Sequence, residues 1–114
     1  MSEPTHAPGI NVKAFEKIDD AEAVQDYIRI LDVFDGLAGI QRLKRTAIEQ
    51  CRLAPGMDVL DAGCGTGLET IRLARLVAPS GRVVGVDASE RFLDEARRRA
   101  AELALPIDYR RSGA

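Results

Sequence analysis

Three glycines at alternate positions are the feature of this sequence with the clearest chemical potential. Gly63, Gly65 and Gly67 follow an apolar segment at residues 57–62 and precede a helical pattern that starts at Leu68. Glycine lets the backbone turn sharply and approach a ligand closely, because no side chain intervenes. The free N–H groups of the next helix and the positive end of its dipole would point into the same crevice. This loop therefore predicts a site for a nucleotide-like ligand beyond the carboxyl end of a strand.

An acidic residue follows the next apolar run. Asp87 comes directly after residues 83–86, and 20 residues after Gly67. A carboxylate at the tip of a strand can accept hydrogen bonds from both hydroxyl groups of a ribose. The simpler alternative is an exposed aspartate that caps the next helix, a role that Ser89 suits better. We therefore interpret Asp87 as a ribose-binding residue.

The spacing of the small residues separates two classes of cofactor. Dinucleotide-binding loops follow the pattern G-x-G-x-x-G/A, in which the third small residue lets helix and strand pack closely. Counted from Gly63 this pattern reaches Leu68, and counted from Gly65 it reaches Thr70, so neither frame fits. A nicotinamide-dependent oxidoreductase remains only as the less favoured alternative.

Short strand and helix patterns alternate around the loop and must position it. We predict strands at residues 57–62, 82–86 and 107–111, with helices at residues 68–77 and after Ser89. Such an alternation predicts an α/β fold with a parallel sheet and right-handed crossovers, a Rossmann-like βαβαβ unit. The apolar stripes of its two helices predict these inward side chains: Leu68, Ile71, Ala74, Leu76, Phe92, Leu93, Ala96, Ala100 and Leu103.

Two further helical patterns precede the first strand. Their apolar residues recur at helical spacing, first at Val24, Tyr27, Ile28, Leu31 and Phe34, then at Ile40, Leu43, Ala47, Ile48 and Cys51. The first dozen residues have no periodicity. We expect a mobile tail at residues 1–18, a helical segment at 19–56 and the ligand-binding unit at 57–114.

The composition limits the class of protein. With 114 residues, 46% of them hydrophobic, and a net charge of -2, the chain predicts one compact domain rather than a disordered one. Sixteen basic against eighteen acidic residues predict no general attraction to nucleic acid or to an anionic membrane. Cys51 and Cys64 lack the spacing of a zinc site, so we expect reduced thiols and no metal. Because no secretory signal or membrane-spanning run is visible, we expect a cytoplasmic protein.

The stretch V-L-D-A-G-C-G-T-G at residues 59–67, with Asp87 closing the second strand, closely resembles the first motifs of class I S-adenosylmethionine-dependent methyltransferases. The resemblance covers roughly residues 53–111 and is closest to the small-molecule branch that includes quinone-biosynthesis enzymes. It implies S-adenosyl-L-methionine as cofactor, S-adenosyl-L-homocysteine as product and a small molecule as methyl acceptor. The cofactor-binding residues that it implies are Asp61, Gly63, Cys64, Gly65, Thr66, Gly67, Asp87, Ala88 and Ser89.

The resemblance also implies a role for several of these positions. The glycines would let the backbone pass beside the methionine part and the ribose, and Asp61 would orient the methionine ammonium, unless it merely braces the loop. Asp87 would hold the ribose diol, Ala88 would lie beside the adenine, and Ser89 would cap the helix. Cys64 is interpreted as a small filler rather than a nucleophile. Candidates to face an acceptor cavity, with burial in the core as the alternative, are Tyr27, Phe34, Ile40 and Gln41.

The chain differs from the family in extent. The family has a seven-stranded sheet, whereas this sequence supplies only its first three strands, in the order 3-2-1, as a truncated methyltransferase fold. The first strand would have an unpaired edge, so we expect a homodimer or a partner chain there. No catalytic residue is identified, since His6 falls in the predicted tail. Catalysis is expected to need the missing half of the fold or a partner chain, and a non-catalytic cofactor-binding module is the alternative.

Overall fold

The computed structural model describes residues 24–113, so the predicted tail at residues 1–18, with His6, lies outside the described residues. Two helices are followed by three strands that alternate with two more helices. The elements are α1 (Val24–Asp35), α2 (Ala38–Gln50), β1 (Asp58–Ala62), α3 (Leu68–Val77), β2 (Arg82–Asp87), α4 (Glu90–Glu102) and β3 (Ile107–Arg111). None of these helices is long and apolar enough to cross a membrane.

The three strands form one parallel sheet with β2 in the centre. The order β1-β2-β3 is the predicted order read from the opposite edge. Asp61 of β1 lies beside Gly85 of β2, which lies beside Tyr109 of β3. Because all three strands run in the same direction, the loop after β1 and the turn after Asp87 emerge at the same edge of the sheet. The predicted α/β fold is confirmed.

Helices α3 and α4 cover the same face of this sheet. Ala74 and Val77 of α3 pack against Val83, and Leu93, Ala96 and Ala100 of α4 pack against Tyr109. Ile107 contacts both groups. Two right-handed crossovers that move in the same direction along a sheet place both helices on one side. The other face is open: Leu60 is 66% exposed there, under a broad cavity of about 630 Å³.

Two apolar side chains that were predicted to face inwards, Leu76 and Leu103, are exposed, and so are Phe34 and Leu43 of the two preceding helical patterns. In the last turn of α3 the buried residue is Val77, because it follows Ala74 at the i+3 spacing that keeps a side chain on the same face. Leu103 is the C-cap of α4 and lies past its last full turn. Helix α2 has no buried residue, so its apolar stripe does not enter the core.

A network of four charged side chains attaches α1 and α2 to α3. Arg72 of α3 and Lys44 of α2 both contact Asp35, at 2.8 and 2.9 Å, and both contact Glu69, at 2.9 and 2.7 Å. Asp35 is nearly buried, and its hydrogen bond from the Arg72 guanidinium is the main reason that its pKa is lowered to about 2. Elsewhere α1 packs on α4 through Val24, Ile28 and Phe92.

Candidate cofactor-binding site

The glycine loop requires glycine for two different physical reasons. Gly63, Gly65 and Gly67 all have positive φ, at 71°, 55° and 84°, a region that L side chains rarely adopt. At Gly67 a β-carbon would also lie only 2.5 Å from the Tyr109 hydroxyl oxygen. At Gly63 and Gly65 a β-carbon would meet no atom within 4 Å. The loop is therefore packed against the core at its last glycine and open at its first two.

Backbone hydrogen bonds fold the loop over the end of β2. The amides of Gly63 and Cys64 both donate to the carbonyl of Val86, at 2.8 and 2.9 Å, and the amide of Gly67 donates to the carbonyl of Cys64 at 3.0 Å. Gly67 is the N-cap of α3 and supplies no side-chain hydrogen bond. The first amides of α3 therefore face the loop without a side-chain cap, as in sites that bind a ligand at a helix N-terminus.

Asp87 connects the two loops at this edge. One carboxylate oxygen accepts a hydrogen bond from the Gly65 amide at 2.9 Å, and the other accepts one from the Ser89 amide at 2.9 Å. The sequence did not predict this bracing role, because it depends on the conformation of the glycine loop. Each carboxylate oxygen has further acceptor capacity, so the same group can also bind ribose hydroxyls.

The two residues after Asp87 lie at the rim of the crevice and at the start of α4. Ala88 is exposed, and its carbonyl accepts a hydrogen bond from Arg111 at 3.3 Å. Ser89 is buried, and its hydroxyl accepts a hydrogen bond from the Phe92 amide at 3.1 Å. The predicted capping role of Ser89 is confirmed.

Asp61 lies on the helix-covered side of the sheet, directly below the loop. Its Oδ2 atom is buried and has no hydrogen-bond partner among the described residues. Burial, followed by the negative charges of Glu69 and Asp87, raises the pKa of Asp61. Since Oδ2 makes no bond to the loop, this oxygen is available to a positively charged donor.

Two further predicted site residues can reach a ligand only through their backbone. The side chains of Cys64 and Thr66 are both buried. Burial, with the charges of Asp87 and Asp61, raises the pKa of the Cys64 thiol to about 12, so it stays protonated at neutral pH. It packs against Tyr109 in the core, which agrees with its interpretation as a filler. Cys51, by contrast, is exposed, and both thiols are free.

A buried polar pair that the sequence analysis missed supports the loop from below. The Thr70 hydroxyl donates to the carbonyl of Gly67 at 3.0 Å and lies 2.5 Å from the Tyr109 hydroxyl. The pair links β3 to the last glycine through the first turn of α3. The position of Thr70 in the first turn of the helix could have indicated its bond to Gly67, because such hydroxyls often bond backbone carbonyls three or four residues back.

The candidates for an acceptor cavity do not share one environment. Tyr27 packs on the buried cluster of Val24, Ile28 and Phe92, so it belongs to the core. Phe34 is exposed and Ile40 is partly buried. Gln41 lies at a small polar cavity of about 240 Å³ with Lys44, Arg45 and Arg72.

Comparisons with known proteins agree with this geometry. A family model for a methyltransferase domain matches residues 53–107. A demethylmenaquinone methyltransferase of Symbiobacterium thermophilum is 44% identical over 61 residues, covering 54% of this chain and 24% of the relative. A 2-phytyl-1,4-naphtoquinone methyltransferase of Synechococcus elongatus is 38% identical over 94 residues, covering 75% of this chain and 40% of the relative.

A solved structure shows the same fold. The structure of a SAM-dependent methyltransferase from Aquifex aeolicus matches 92% of this chain and 48% of its own, with a TM-score of 0.57 and 24% identity. The chain thus spans less than half the length of each of these three proteins.

The parallel βαβαβ unit, the glycine loop and the carboxylate at the end of β2 define a Rossmann-like nucleotide-binding fold. With the family match, the chain is a class I S-adenosylmethionine-dependent methyltransferase domain, and S-adenosylmethionine is its cofactor. The site fits this cofactor: Gly63 and Gly65 leave space above the loop, and the unpartnered Asp61 oxygen suits its ammonium group.

Proposed function

We propose that the chain is the cofactor-binding part of a small-molecule methyltransferase. The observation that supports this most directly is the buried Asp61 oxygen without a partner, below a glycine loop whose first two glycines face open space. A buried carboxylate oxygen without a donor is unfavourable in the protein alone, and a charge-assisted hydrogen bond from a ligand ammonium would relieve it.

In this proposal the residues of the chain bind and orient the cofactor. When bound, S-adenosylmethionine supplies a sulfonium-activated methyl group, so the protein mainly aligns donor and acceptor. Asp61 holds the ammonium, Asp87 accepts hydrogen bonds from the ribose hydroxyls, and Ala88 lies beside the adenine. The loop from Gly63 to Gly67, with Cys64 and Thr66, contributes backbone groups, and Ser89 fixes the start of α4.

The acceptor would be an apolar small molecule. Large apolar side chains are exposed on α1 and α2 and at the N-cap between them, namely Ile30, Val33, Phe34, Leu37 and Leu43. Grouped exposed apolar side chains often mark a binding surface. The two relatives described above act on quinones by name, which supports an acceptor of this kind. We propose that residues 19–56 form the acceptor side of the site and residues 57–114 the cofactor side.

Methyl transfer would need structure beyond these residues, supplied by the rest of a longer chain or by a partner chain. In residues 24–113, β1 pairs only with β2, and Leu60 beside its free edge is exposed. An apolar strand with an unpaired edge is a template for pairing. We propose that a second copy of this chain, or the missing half of the fold, pairs with β1. Light scattering that shows a monomer at every concentration would count against the homodimer.

Calorimetry tests the cofactor assignment. We expect S-adenosylmethionine and S-adenosylhomocysteine to bind and NAD not to bind. Replacing Asp87 with Ala should weaken nucleoside binding by about 1–3 kcal/mol, the loss expected for charge-assisted hydrogen bonds. The control is Asp94→Ala, at an exposed carboxylate of α4. Binding of NAD alone would overturn the proposal.

The two free thiols also support a reducing, cytoplasmic location, which cell fractionation would test.

A further inference from the structure

Glu69 lies in the first turn of α3, two residues after the last glycine of the loop. Its Oε1 atom accepts hydrogen bonds from Lys44 at 2.7 Å and from Arg72 at 2.9 Å. Its Oε2 atom is buried and has no partner among the described residues. The two cations therefore fix one side of the carboxylate and leave the other side free to accept.

The only comparable atom in the described part of the chain is Oδ2 of Asp61. Asp61 lies two residues before the first glycine of the loop and Glu69 two residues after the last, so the two unpartnered oxygens belong to residues that flank the same loop. The large majority of buried side-chain polar atoms in native proteins have a partner. Two exceptions at residues that flank one glycine loop indicate a shared donor.

The local charges identify that donor as a cation. Lys44 and Arg72 together balance Asp35 and Glu69, so this network is neutral. Asp61 then adds one negative charge without a partner. A single positive group with several N–H donors would balance this charge and satisfy both free oxygens, and a primary ammonium has three such donors.

We propose that Glu69 is a second carboxylate for the ammonium group of S-adenosylmethionine, acting together with Asp61. This inference rests on the proposed function, in which the cofactor occupies the glycine loop. Helix α2 has no buried residue, and its Lys44 forms an ion pair with Glu69. Glu69 therefore also connects the bound cofactor to the helical segment. Glu69 is thus both a ligand-binding residue and a link to the acceptor side.

The test compares two ligands that differ in the amino acid part. S-adenosylhomocysteine has the ammonium, whereas 5′-methylthioadenosine has the same nucleoside without it. Glu69→Gln keeps an acceptor for Lys44 and Arg72 but removes the charge. We expect this variant to bind S-adenosylhomocysteine about 5–50-fold more weakly and 5′-methylthioadenosine within about twofold of wild type. Glu102→Gln, at an exposed position of α4, is the matched control and should change neither affinity.

The ratio of the two affinities separates direct contact from a structural role. Equal weakening of both ligands would mean that Glu69 only supports the fold. Unchanged affinity for both ligands would likewise overturn the inference. If Glu69→Gln does not fold, Glu69→Asp keeps the charge at a shorter reach and should still lower the affinity for S-adenosylhomocysteine selectively. Ligand-detected NMR covers the weaker nucleoside. If wild type binds neither ligand, the proposed function itself is wrong, which is a distinguishable result.

Discussion

Replacing Asp61 with Asn should stabilise the ligand-free protein and weaken cofactor binding. In wild type, Oδ2 of Asp61 is buried without a partner, close to the negative charges of Glu69 and Asp87. A buried unsatisfied polar atom costs about 1–3 kcal/mol. The amide of Asn is neutral, so it would not be repelled by these two charges. We therefore expect the free energy of unfolding to rise by about 1–2 kcal/mol, which for a domain near this size raises Tm by at least about 4 °C.

The same substitution removes the charge that the ammonium needs. A hydrogen bond to a charged group contributes about 1.5–3 kcal/mol, so the affinity for S-adenosylhomocysteine should fall roughly 10–150-fold. Thermal unfolding followed by circular dichroism, with and without this ligand, measures both effects. Asp58→Asn in the same strand is the control, because Asp58 is exposed and pairs with Arg82 instead. A lower Tm without ligand, together with unchanged affinity, would refute the reasoning and make Asp61 a loop brace.

The pH dependence of stability gives an independent check on the direction of the Asp61→Asn effect. The pKa of Asp61 is higher in the folded protein than in the unfolded chain. At a pH above the folded-state pKa the ionised carboxylate therefore lowers the stability of the native protein. The penalty is relieved as pH falls through the raised pKa. The advantage of Asp61→Asn over wild type should therefore be largest near neutral pH and shrink on acidification. Asp35 acts in the opposite direction, since its pKa is lowered to about 2 and its stabilisation is lost as pH falls towards that value.

Three further predictions concern the loop and the core below it. Gly67→Ala should destabilise the protein by more than the roughly 1–2 kcal/mol expected from positive φ alone, because its β-carbon would clash with Tyr109. Gly63→Ala should cost only the backbone strain, and urea denaturation compares the two variants. Tyr109→Phe should lower the free energy of unfolding by about 0.5–1.5 kcal/mol, measured in the same way, and an unchanged value would mean that its hydrogen bond contributes nothing. A thiol reagent at pH 8 should modify Cys51 at once and Cys64 only on unfolding; fast modification of both in the folded protein would contradict the buried position of Cys64.

The sequence predicted those parts of the fold that depend on local pattern. The strands at residues 57–62, 82–86 and 107–111 differ from the observed ones by one residue at most, and the helix at residues 68–77 matches α3. Helix faces were predicted less well, because burial depends on what covers each face. Leu76 is 43% exposed while its neighbour Val77 is 1% exposed, and sequence spacing alone did not distinguish them.

The same distinction applies to the candidate site. The glycine positions and Asp87 were found from their spacing, which agrees with the positive φ of the three glycines and with the hydrogen bond from Gly65 to Asp87, whereas the role of Asp61 came from the resemblance to a known family. Thr70 and Tyr109 meet only when β3 packs beside β2, and they are 39 residues apart in the chain. Their contact therefore could not be read from local spacing. Glu69 was missed for the same reason, because its free oxygen is recognised only once Lys44 and Arg72 occupy the other one.

Polar groups at the loop fall into two classes, those whose hydrogen bonds hold the loop in shape and those with a buried oxygen left free for a cation. Asp87 and Thr70 have their hydrogen bonds within the protein, so the loop keeps its shape whether or not a cofactor is bound. Asp61 and Glu69 each keep one buried oxygen without a partner. A protein that has satisfied its structural polar groups and left two buried carboxylate oxygens free loses stability at that point. Binding a cation would recover it, so we expect cofactor binding to raise Tm more in wild type than in variants that lack either carboxylate.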